Sequence, residues 1–434
     1  MDWSLIKKSI MTGRETKMGN ILKIALRNLF RYKRRTLLTA SLIAIGVILV
    51  VVFGGIANSF KNKVIGILTN SNLADIQIHK KGYLSSIDNL PLDLTISGEG
   101  INKIENLLKE NEQIKAFSKR FRFGSAISNF VQTTNIRLTA VYPEMESQTC
   151  PDLPKRIKNS KNEPSNFVRR GELIVPINLA QGLDLKVGSD VVLVANNKDG
   201  SVNGITLRVS GISENILGPT GKDGYLHLDD ARTLLRIPTS QNEVTEIAIK
   251  LNNFDKLDYV YNQLKSELMK FKTQSGKPMY EISTWKELSP FASIVRIIDL
   301  LIIVVKIVLI FIVLVSILNV MIMSVYERVS EIGTIASIGT PPGKILSLFL
   351  VEGFSLGLIS SIVGSLLGIA ILFLFSIIKL NFTFGRMELA LSPEIQLSEV
   401  IFTSLIVIII SVVSSLQPAI KASKLEPVDA LRHV

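Results

Sequence analysis

Four long segments without a charged residue constrain this chain more than any other feature. They are Thr36–Phe60, Ile307–Tyr326, Gly353–Ile378 and Val400–Ile420. An α-helix needs about 20 apolar residues to cross the hydrocarbon core of a bilayer, and no other segment meets that criterion. The first segment is longer than the core of a cleaved signal peptide, so we interpret it as an anchor. The sequence therefore predicts an α-helical membrane protein with four transmembrane helices.

The placement of positive charge predicts the side of the membrane that each segment occupies. The formal net charge is +12, and residues 1–36 hold ten Lys/Arg residues against two acidic ones, which supplies 10 − 2 = +8 of it. Basic segments beside a transmembrane helix stay in the cytoplasm. Both termini are then cytoplasmic. A nucleic-acid surface would spread its charge over a folded domain, so we expect no nucleic-acid partner.

These spans predict the organisation of the whole chain. The segments are a basic cytoplasmic segment (1–36), transmembrane helix 1 (37–60), an extracytoplasmic α/β domain (61–296), a stalk with transmembrane helix 2 (297–326), a cytoplasmic helix and loop (327–352), transmembrane helix 3 (353–378), a short outer loop (379–399), transmembrane helix 4 (400–420) and a cytoplasmic tail (421–434). A mean hydropathy of +0.35 agrees with a membrane part joined to a soluble domain.

Transmembrane helix 2 is predicted to be longer than the bilayer core is thick. Residues 297–326 would form a helix of about 45 Å at roughly 1.5 Å per residue. Its outer end should therefore form a stalk under the external domain. Lys306 lies near that end, and we expect its ammonium group to extend to the interface. An intramembrane ion with a function, together with Asp299 on the same helix face, is the alternative.

The external segment alternates between strand-like and helix-like patterns. Strands are predicted at 74–83, 133–142, 171–177, 189–195, 205–212 and 244–251, and helices at 100–117, 229–237 and 254–271. Asn196–Gly204 has the composition of a hairpin turn. Pro143–Pro164 is predicted to link two lobes or to form a flexible flap.

No motif in the chain is typical of catalysis, metal binding or nucleotide binding. The Ser/His/Asp, HExxH, CxxC and EF-hand patterns are missing, and we interpret the single Cys150 as an inert side chain. The phosphate-binding pattern GxxxxGK[ST] is also missing, since its nearest counterpart, Gly339–Ile345, is one residue short and contains two prolines. We expect no catalytic, cofactor or metal site, and any ATP and Mg²⁺ should bind another subunit.

The segment between the second and third spans, YERVSEIGTIASIGTPPGKILSLFLVEG (326–353), is the most informative. Glu327 and Glu331 lie one helical turn apart, and isoleucines follow on the same short helix. Gly339 can end this helix, and the prolines after it prevent its continuation. The helix could be a simple re-entry turn or a rigid lever that docks into a partner.

The same segment resembles the hallmark of the FtsX-like and MacB-type ABC transporter permeases, E-R-x-x-E-I-G-x-L-x-A-I-G followed by FLxEG. The matching residues are Glu327, Arg328, Glu331, Ile332, Gly333, Ile338, Gly339, Glu352 and Gly353. Ala336-Ser337 departs from the usual Arg-Ala. ALRNLFRYKRRTLLT (25–39) and QPAIKASKLEPVDALR (417–432) resemble the entry of this family's first span and the exit of its last.

The resemblance implies an inner-membrane permease that pairs with an identical or different permease chain and with a separate ABC ATPase. ATP hydrolysis would move the spans, and the motion would pass to the MacB-like external domain, which is mechanotransmission. The implied ATPase-coupling residues are Glu327, Arg328, Glu331, Ile332, Gly333, Ile338 and Gly339. Gly353, Gly357, Gly364 and Gly368 form two small-xxx-small pairs, which can pack helices within one chain or between two chains.

Within the family, the chain is most similar to the lipoprotein-releasing, LolC/LolE-type permeases. The length and the segments GELIVPINLAQGLDLKVGSDVVLVA and YLHLDDARTLLRIP are the basis of this similarity. This similarity implies that the chain contacts membrane lipids, handles a lipid-anchored cargo and works with an extracytoplasmic partner. The hairpin near 195–204 is shorter than in the carrier-recruiting member. MacB-like export of drugs, peptides or other amphipathic cargo, and a signalling scaffold, are the alternatives.

Overall fold

The computed structural model describes residues 23, 25, 27, 28, 31, 33–160, 162–214, 222–238, 241–378, 380–384, 387–391, 393 and 395–425. The chain divides into two compact units, a helical unit that includes Arg296–Thr383 and an α/β unit that includes Asn62–Val295. Most of the predicted segments 1–36 and 421–434 lie outside the described residues.

The α-helices of the described chain range from single turns to more than ten turns. They are α1 (Lys33–Leu68), α2 (Gly98–Lys109), α3 (Pro143–Thr149), α4 (Ile177–Gly182), α5 (Leu228–Leu234), α6 (Leu257–Leu268), α7 (Trp285–Leu288), α8 (Ala292–Glu327), α9 (Val329–Ser337), α10 (Pro342–Ile378) and α11 (Leu397–Ser423).

The strands form one large mixed sheet and a separate hairpin. They are β1 (Ile76–Lys80), β2 (Ile114–Ser128), β3 (Thr133–Val141), β4 (Ile157–Lys158), β5 (Glu172–Pro176), β6 (Asp190–Asn196), β7 (Val202–Ser213), β8 (Asp223–His227), β9 (Glu246–Leu251), β10 (Tyr280–Thr284), β11 (Leu380–Phe384) and β12 (Met387–Leu391). The sheet order is β10-β1-β9-β2-β3-β8-β5-β7-β4, with β6 beside β2 and β7, and β11 pairs with β12.

Among the described residues, four helices, α1, α8, α10 and α11, are long and apolar enough to cross a membrane. The predicted number of spans and the α/β character of the domain between the first two are therefore confirmed. Several of the predicted boundaries differ from the observed ones. α1 continues past residue 60 to Leu68, and α10 begins at Pro342 instead of Gly353. A proline suits the first turn of a helix, because its fixed φ is helical and no partner is needed for the missing N–H.

Helix α8 is continuous over 36 residues, which corresponds to about 54 Å. Two ion pairs in the first half of α8 join it to α1 and α11. Lys61 Nζ on α1 lies 2.8 Å from Asp299 Oδ1, and Lys306 Nζ lies 2.6 Å from Glu399 Oε2 on α11. The partner of Lys306 lies at the predicted outer end of the fourth span, and extension of the ammonium group to the interface stays a prediction. Sequence spacing on α8 alone could not identify partners on two other helices.

In the α/β unit, the predicted helix 100–117 is wrong in its second half. α2 ends at Lys109, and β2 begins at Ile114. β2 pairs with β3, β6 and β9 in the middle of the sheet. The two patterns merge in the sequence because only a short turn separates them, in which Asn111 Oδ1 accepts a hydrogen bond from the N–H of Gln113. Strands β2, β4, β8 and β10 of this unit were not predicted, whereas the hairpin turn between β6 and β7 was.

The segment Pro143–Pro164 is neither a linker nor a flap. It begins with α3, and Cys150 and Leu153, both fully buried, belong to a core cluster with Tyr225 and Phe167. The polar residues of this segment lie mostly at exposed or half-buried positions. Because they outnumber the few residues that enter the core, the sequence pattern resembled that of a loop. The carboxylate of Glu146, also in α3, is buried and ion-paired with Arg120 of β2.

Candidate functional site

The candidate site is the connection between α8 and α10, where the predicted coupling residues lie. Arg328 has φ −118° and ψ 17°, so the chain leaves α8 here and turns into α9. After α9, Gly339 has φ +91°, a left-handed conformation that glycine adopts without the steric cost of a Cβ. The left-handed backbone conformation of Gly339 therefore explains why the short helix ends near this residue, as predicted.

Arg328 fixes this corner to the third span. Its Nη1 lies 3.2 Å from Glu352 Oε2 on α10, and its guanidinium carbon lies 5.8 Å from the centre of the Phe349 ring. Arg328 is 7% exposed and Glu352 is 3% exposed. Buried charges need a close partner, because desolvation of an unpaired ion costs several kcal/mol. The two halves of the sequence motif, 24 residues apart, thus meet in one buried ion pair.

Glu331 links α9 to the basic segment before the first span. Its Oε1 lies 3.1 Å from Arg31 Nη1, and its Oε2 lies 3.3 Å from Arg328 Nε. The Arg31 and Glu331 side chains are largely exposed, and such pairs typically contribute less than about 1 kcal/mol. Glu331 therefore has partners within the chain, which the sequence did not indicate.

The two sides of α9 have different environments. Ile332, at 5% exposure, and Gly333 are buried against the helical unit, and Ile332 belongs to its apolar core. Ile335 and Ile338 are 43% and 81% exposed. We define the exposed α9 face as Thr334, Ile335, Ile338 and Gly339, all of which are exposed.

The predicted coupling residues therefore separate into two groups. Arg328, Ile332 and Gly333 are buried and hold α9 in place. Ile338, Gly339 and Glu327 are exposed, and the seventh residue, Glu331, is half-buried between the two groups. Ile335 was not among the predicted coupling residues, and its exposure is set by how α9 packs.

The four predicted glycines of α10 lie where neighbouring helices pack closely against it. A Cβ added to Gly353 or Gly357 would lie 2.7 or 2.2 Å from the hydroxyl oxygen of a serine on α11, Ser415 and Ser411 respectively. A Cβ on Gly364 would lie 2.7 Å from Val47 Cβ, and one on Gly368 would lie 2.9 Å from a Val51 methyl group on α1. Both small-xxx-small pairs thus make contacts within this chain.

We expect Gly357→Leu to destabilise the helical unit by about 1–3 kcal/mol, because a side chain must displace α11 at Ser411. Thermal unfolding of the full chain in detergent measures the effect. Gly343→Leu is the matched control, since a Cβ at Gly343 meets no atom within 4 Å. Equal unfolding midpoints for the two variants would contradict the close packing.

A second set of charges is buried in the α/β unit. Arg120 donates to both oxygens of Glu146, at 2.9 and 2.7 Å, and its Nη1 lies 2.9 Å from Glu246 Oε1. All three side chains are at most 2% exposed. Arg120 also donates to Cys150 Sγ at 3.1 Å. Burial raises the pKa of the Cys150 thiol to about 12, so it is protonated and unreactive at neutral pH.

Both units match known families along the sequence. The MacB-like periplasmic core domain matches residues 36–267, and the FtsX-like permease C-terminal family matches residues 303–427. This chain belongs to the FtsX-like and MacB-like ABC transporter permeases. The exposed α9 face and the four glycines of this permease lie in its FtsX-like part. The family and fold class predicted from the sequence are therefore confirmed.

Individual relatives match this permease over different lengths. The lipoprotein-releasing system transmembrane protein LolC of Neisseria meningitidis is 21% identical over 92% of this chain and 94% of its own. An ABC transporter permease of Methanocaldococcus jannaschii is 26% identical, over 57% of this chain and 58% of its own. The macrolide export ATP-binding/permease protein MacB of Chromobacterium violaceum is 29% identical, but over only 36% of this chain and 23% of its own.

Proposed function

We propose that this permease is the membrane subunit of an ATP-driven transporter that works by mechanotransmission and releases lipoproteins from the inner membrane. The exposed α9 face is the observation that supports an ATP-driven transporter subunit, the first part of this proposal. Ile335 and Ile338 are apolar, exposed and outside the apolar spans, on a helix that Arg328 and Ile332 hold in place. A rigid apolar projection of this kind fits a groove on a partner protein.

The partner in this proposal is a separate ABC ATPase. This chain contains no phosphate-binding loop, so ATP and Mg²⁺ would be bound and hydrolysed by that subunit and the chain itself would not be an enzyme. The basic residues before α1 support a cytoplasmic position of α9 and both termini, where ATP is available. The α/β unit is then extracytoplasmic.

Motion of α9 would pass directly into the two spans that it connects. α9 is only nine residues long and follows α8 after Arg328, and four residues separate the end of α9 from the start of α10. A continuous hydrogen-bonded helix transmits displacement along its axis, and α8 extends without a break from Glu327 to Ala292. An ATP-driven shift of α9 is therefore expected at the far end of α8. The machine would need a second permease chain, surrounding lipids and an extracytoplasmic partner.

Lipoprotein release as the task is supported by the length of the matches. The match to LolC covers 94% of that protein, whereas the match to MacB covers 23% of that protein. The turn between β6, which ends at Asn196, and β7, which begins at Val202, is short. It resembles the lipoprotein-releasing subunit without a hook, or a general exporter, so the alternative is MacB-like export of drugs, peptides or other amphipathic cargo. A signalling scaffold is the alternative of another class.

Reconstituted vesicles distinguish these tasks. The permease, its ATPase and a labelled lipoprotein are mixed with a soluble lipoprotein carrier, and ATP-dependent transfer to the carrier is measured. Transfer supports lipoprotein release. Export of an amphipathic dye without lipoprotein transfer favours the MacB-like alternative, and ATP hydrolysis with neither result favours the scaffold.

We expect Ile338→Asp to weaken binding of the ATPase at least about tenfold, because a charge replaces an apolar contact of more than 1.4 kcal/mol. Co-purification and titration with the ATPase measure the loss. Val131→Asp is the control, since Val131 is 85% exposed in the α/β unit. Glu331→Lys is a poorer test, because it also breaks the pairs with Arg31 and Arg328. Undiminished binding by an Ile335→Asp/Ile338→Asp double variant would refute docking on this face.

A further inference from the structure

A cavity of about 420 Å³ in the α/β unit, which we call the arginine cavity, is lined by Arg170, Arg232 and Arg236. Asp229 is the one carboxylate among the described residues that line it. The cavity therefore carries a net charge of 3 − 1 = +2. Its volume lies within the range of small-ligand sites, roughly 300–1,000 Å³. The proposed coupling to an ATPase makes no use of this cavity.

The fold brings the three arginines together from two separate segments. Arg170 precedes β5, whereas Arg232 lies in α5 and Arg236 follows it. The N–H of Gly171 donates to Asp230 Oδ2 on α5 at 2.7 Å, across 59 residues of sequence. Asp230 is 9% exposed, so this hydrogen bond is shielded from water and holds the segment with Arg170 beside α5.

Arg232 is the most buried of the three arginines, at 8% exposure. Its Nη1 donates to Tyr142 Oη at 2.9 Å and to Asp229 Oδ1 at 3.3 Å, and its Nη2 donates to Asn242 Oδ1. Its buried Nε has no hydrogen-bond partner among the described residues. The guanidinium group is therefore fixed in position, but its five N–H donors are not all used.

Arg170 and Arg236 are exposed, so the cavity is accessible from solvent. Within the described part of the chain, neither side chain forms an ion pair or a hydrogen bond. A cleft lined by charges of one sign concentrates ions of the opposite sign. The two free guanidinium groups, beside the fixed one of Arg232, therefore favour an anion as the ligand.

Arg236 also has a backbone conformation that is usual for glycine. Its φ is +51°, and it follows the C-terminal end of α5. There the N–H of Ile237 donates to the carbonyl of Arg232 at 2.9 Å, and the N–H of Arg236 donates to the carbonyl of Thr233 at 3.3 Å. Glycine is the common residue at this position of a helix end. Strained residues of this kind cluster at ligand sites, where the side chain has a use.

We propose that the arginine cavity binds a phosphate group, either as free phosphate or as the headgroup of an anionic phospholipid. A guanidinium group presents paired N–H donors that match the oxygens of a phosphate. A phosphate group carries up to two negative charges at neutral pH, which the net charge of +2 balances. The α/β unit would thus have an anion-binding function beyond the proposed coupling.

Titration of the full chain in a non-ionic detergent tests the site, with inorganic phosphate in one arm and a short-chain phosphatidylglycerol in the other. Arg170→Gln and Arg236→Gly should each weaken binding at least about tenfold, because each removes a charge-assisted hydrogen bond. Arg169→Gln is the matched control, since this neighbouring arginine is also exposed but does not line the cavity.

The order of the two affinities identifies the source of the phosphate group. Tighter binding of inorganic phosphate by the native chain indicates free phosphate, and tighter binding of phosphatidylglycerol indicates a lipid headgroup. Binding of neither ligand, or an equal loss in the Arg169→Gln variant, would overturn the proposal.

Arg236→Gly also separates binding from folding. Glycine removes the strain of the left-handed conformation, so the thermal unfolding midpoint should equal or exceed that of the native chain while phosphate binding falls. A lower midpoint with native affinity would show that Arg236 only stabilises the fold, and it would refute the proposal. Ile338→Asp should lose ATPase binding and keep phosphate binding, so this proposal and the proposed function fail separately.

Discussion

Arg328→Met is expected to lower the free energy of unfolding of the helical unit by about 3–5 kcal/mol, the usual cost of breaking a buried ion pair from one side. The variant leaves the Glu352 carboxylate, 3% exposed, without the guanidinium that lies 3.2 Å from it. Methionine fills similar space beside Phe349, so the loss reports the charge and not a cavity. Thermal unfolding of the full chain in detergent measures the change.

Two further variants separate the charge effect from other causes. Arg328→Met combined with Glu352→Leu removes both ions, and it should recover most of the lost stability. Glu331→Gln removes only the partly exposed partner of Arg328 and should cost less than about 1 kcal/mol. If Arg328→Met proves as mild as Glu331→Gln, Arg328 has no anchoring role.

In the α/β unit, Arg120→Met is expected to cost about 3–5 kcal/mol or more, because it leaves two fully buried carboxylates, Glu146 and Glu246, without their shared guanidinium. Thermal unfolding and limited proteolysis of the full chain measure the loss. Adding Glu146→Leu should restore part of it, since Glu246 still faces Arg122 at 3.7 Å.

An exposed ion pair in the same unit provides the control. Arg208 Nε lies 3.0 Å from Asp190 Oδ1, and both side chains are largely exposed. Arg208→Ala should therefore change stability by less than about 1 kcal/mol. Equal effects of the Arg120 and Arg208 variants would show that burial does not determine the strength of these pairs.

The same cluster predicts acid sensitivity of the α/β unit. Burial alone would raise the pKa of Glu246, but Arg122, His79 and Arg120 outweigh it and hold the pKa below its ordinary value of 4.5. A group whose pKa falls on folding stabilises the fold above its unfolded pKa. The contribution of Glu246 is therefore complete at neutral pH and is lost as the pH falls below about 4.5.

The sequence alone determined the features that depend on local composition. A charge-free apolar segment has to be a membrane helix because only a helix satisfies its own backbone in lipid. That rule gave all four spans without any knowledge of their contacts. Gly339 and Pro342 likewise indicated where the short helix between the second and third spans would end, since their backbone preferences are intrinsic.

Only the tertiary structure decided which side chains meet. Arg328 and Glu352 are 24 residues apart, and Arg120 and Glu246 are 126 residues apart, so no periodicity in the sequence relates them. The packing of α9 separated the buried Ile332 from the exposed Ile338, although both are isoleucines of one short amphipathic helix. Burial and ion pairing depend on the neighbours that the fold brings together, and local sequence patterns do not identify those neighbours.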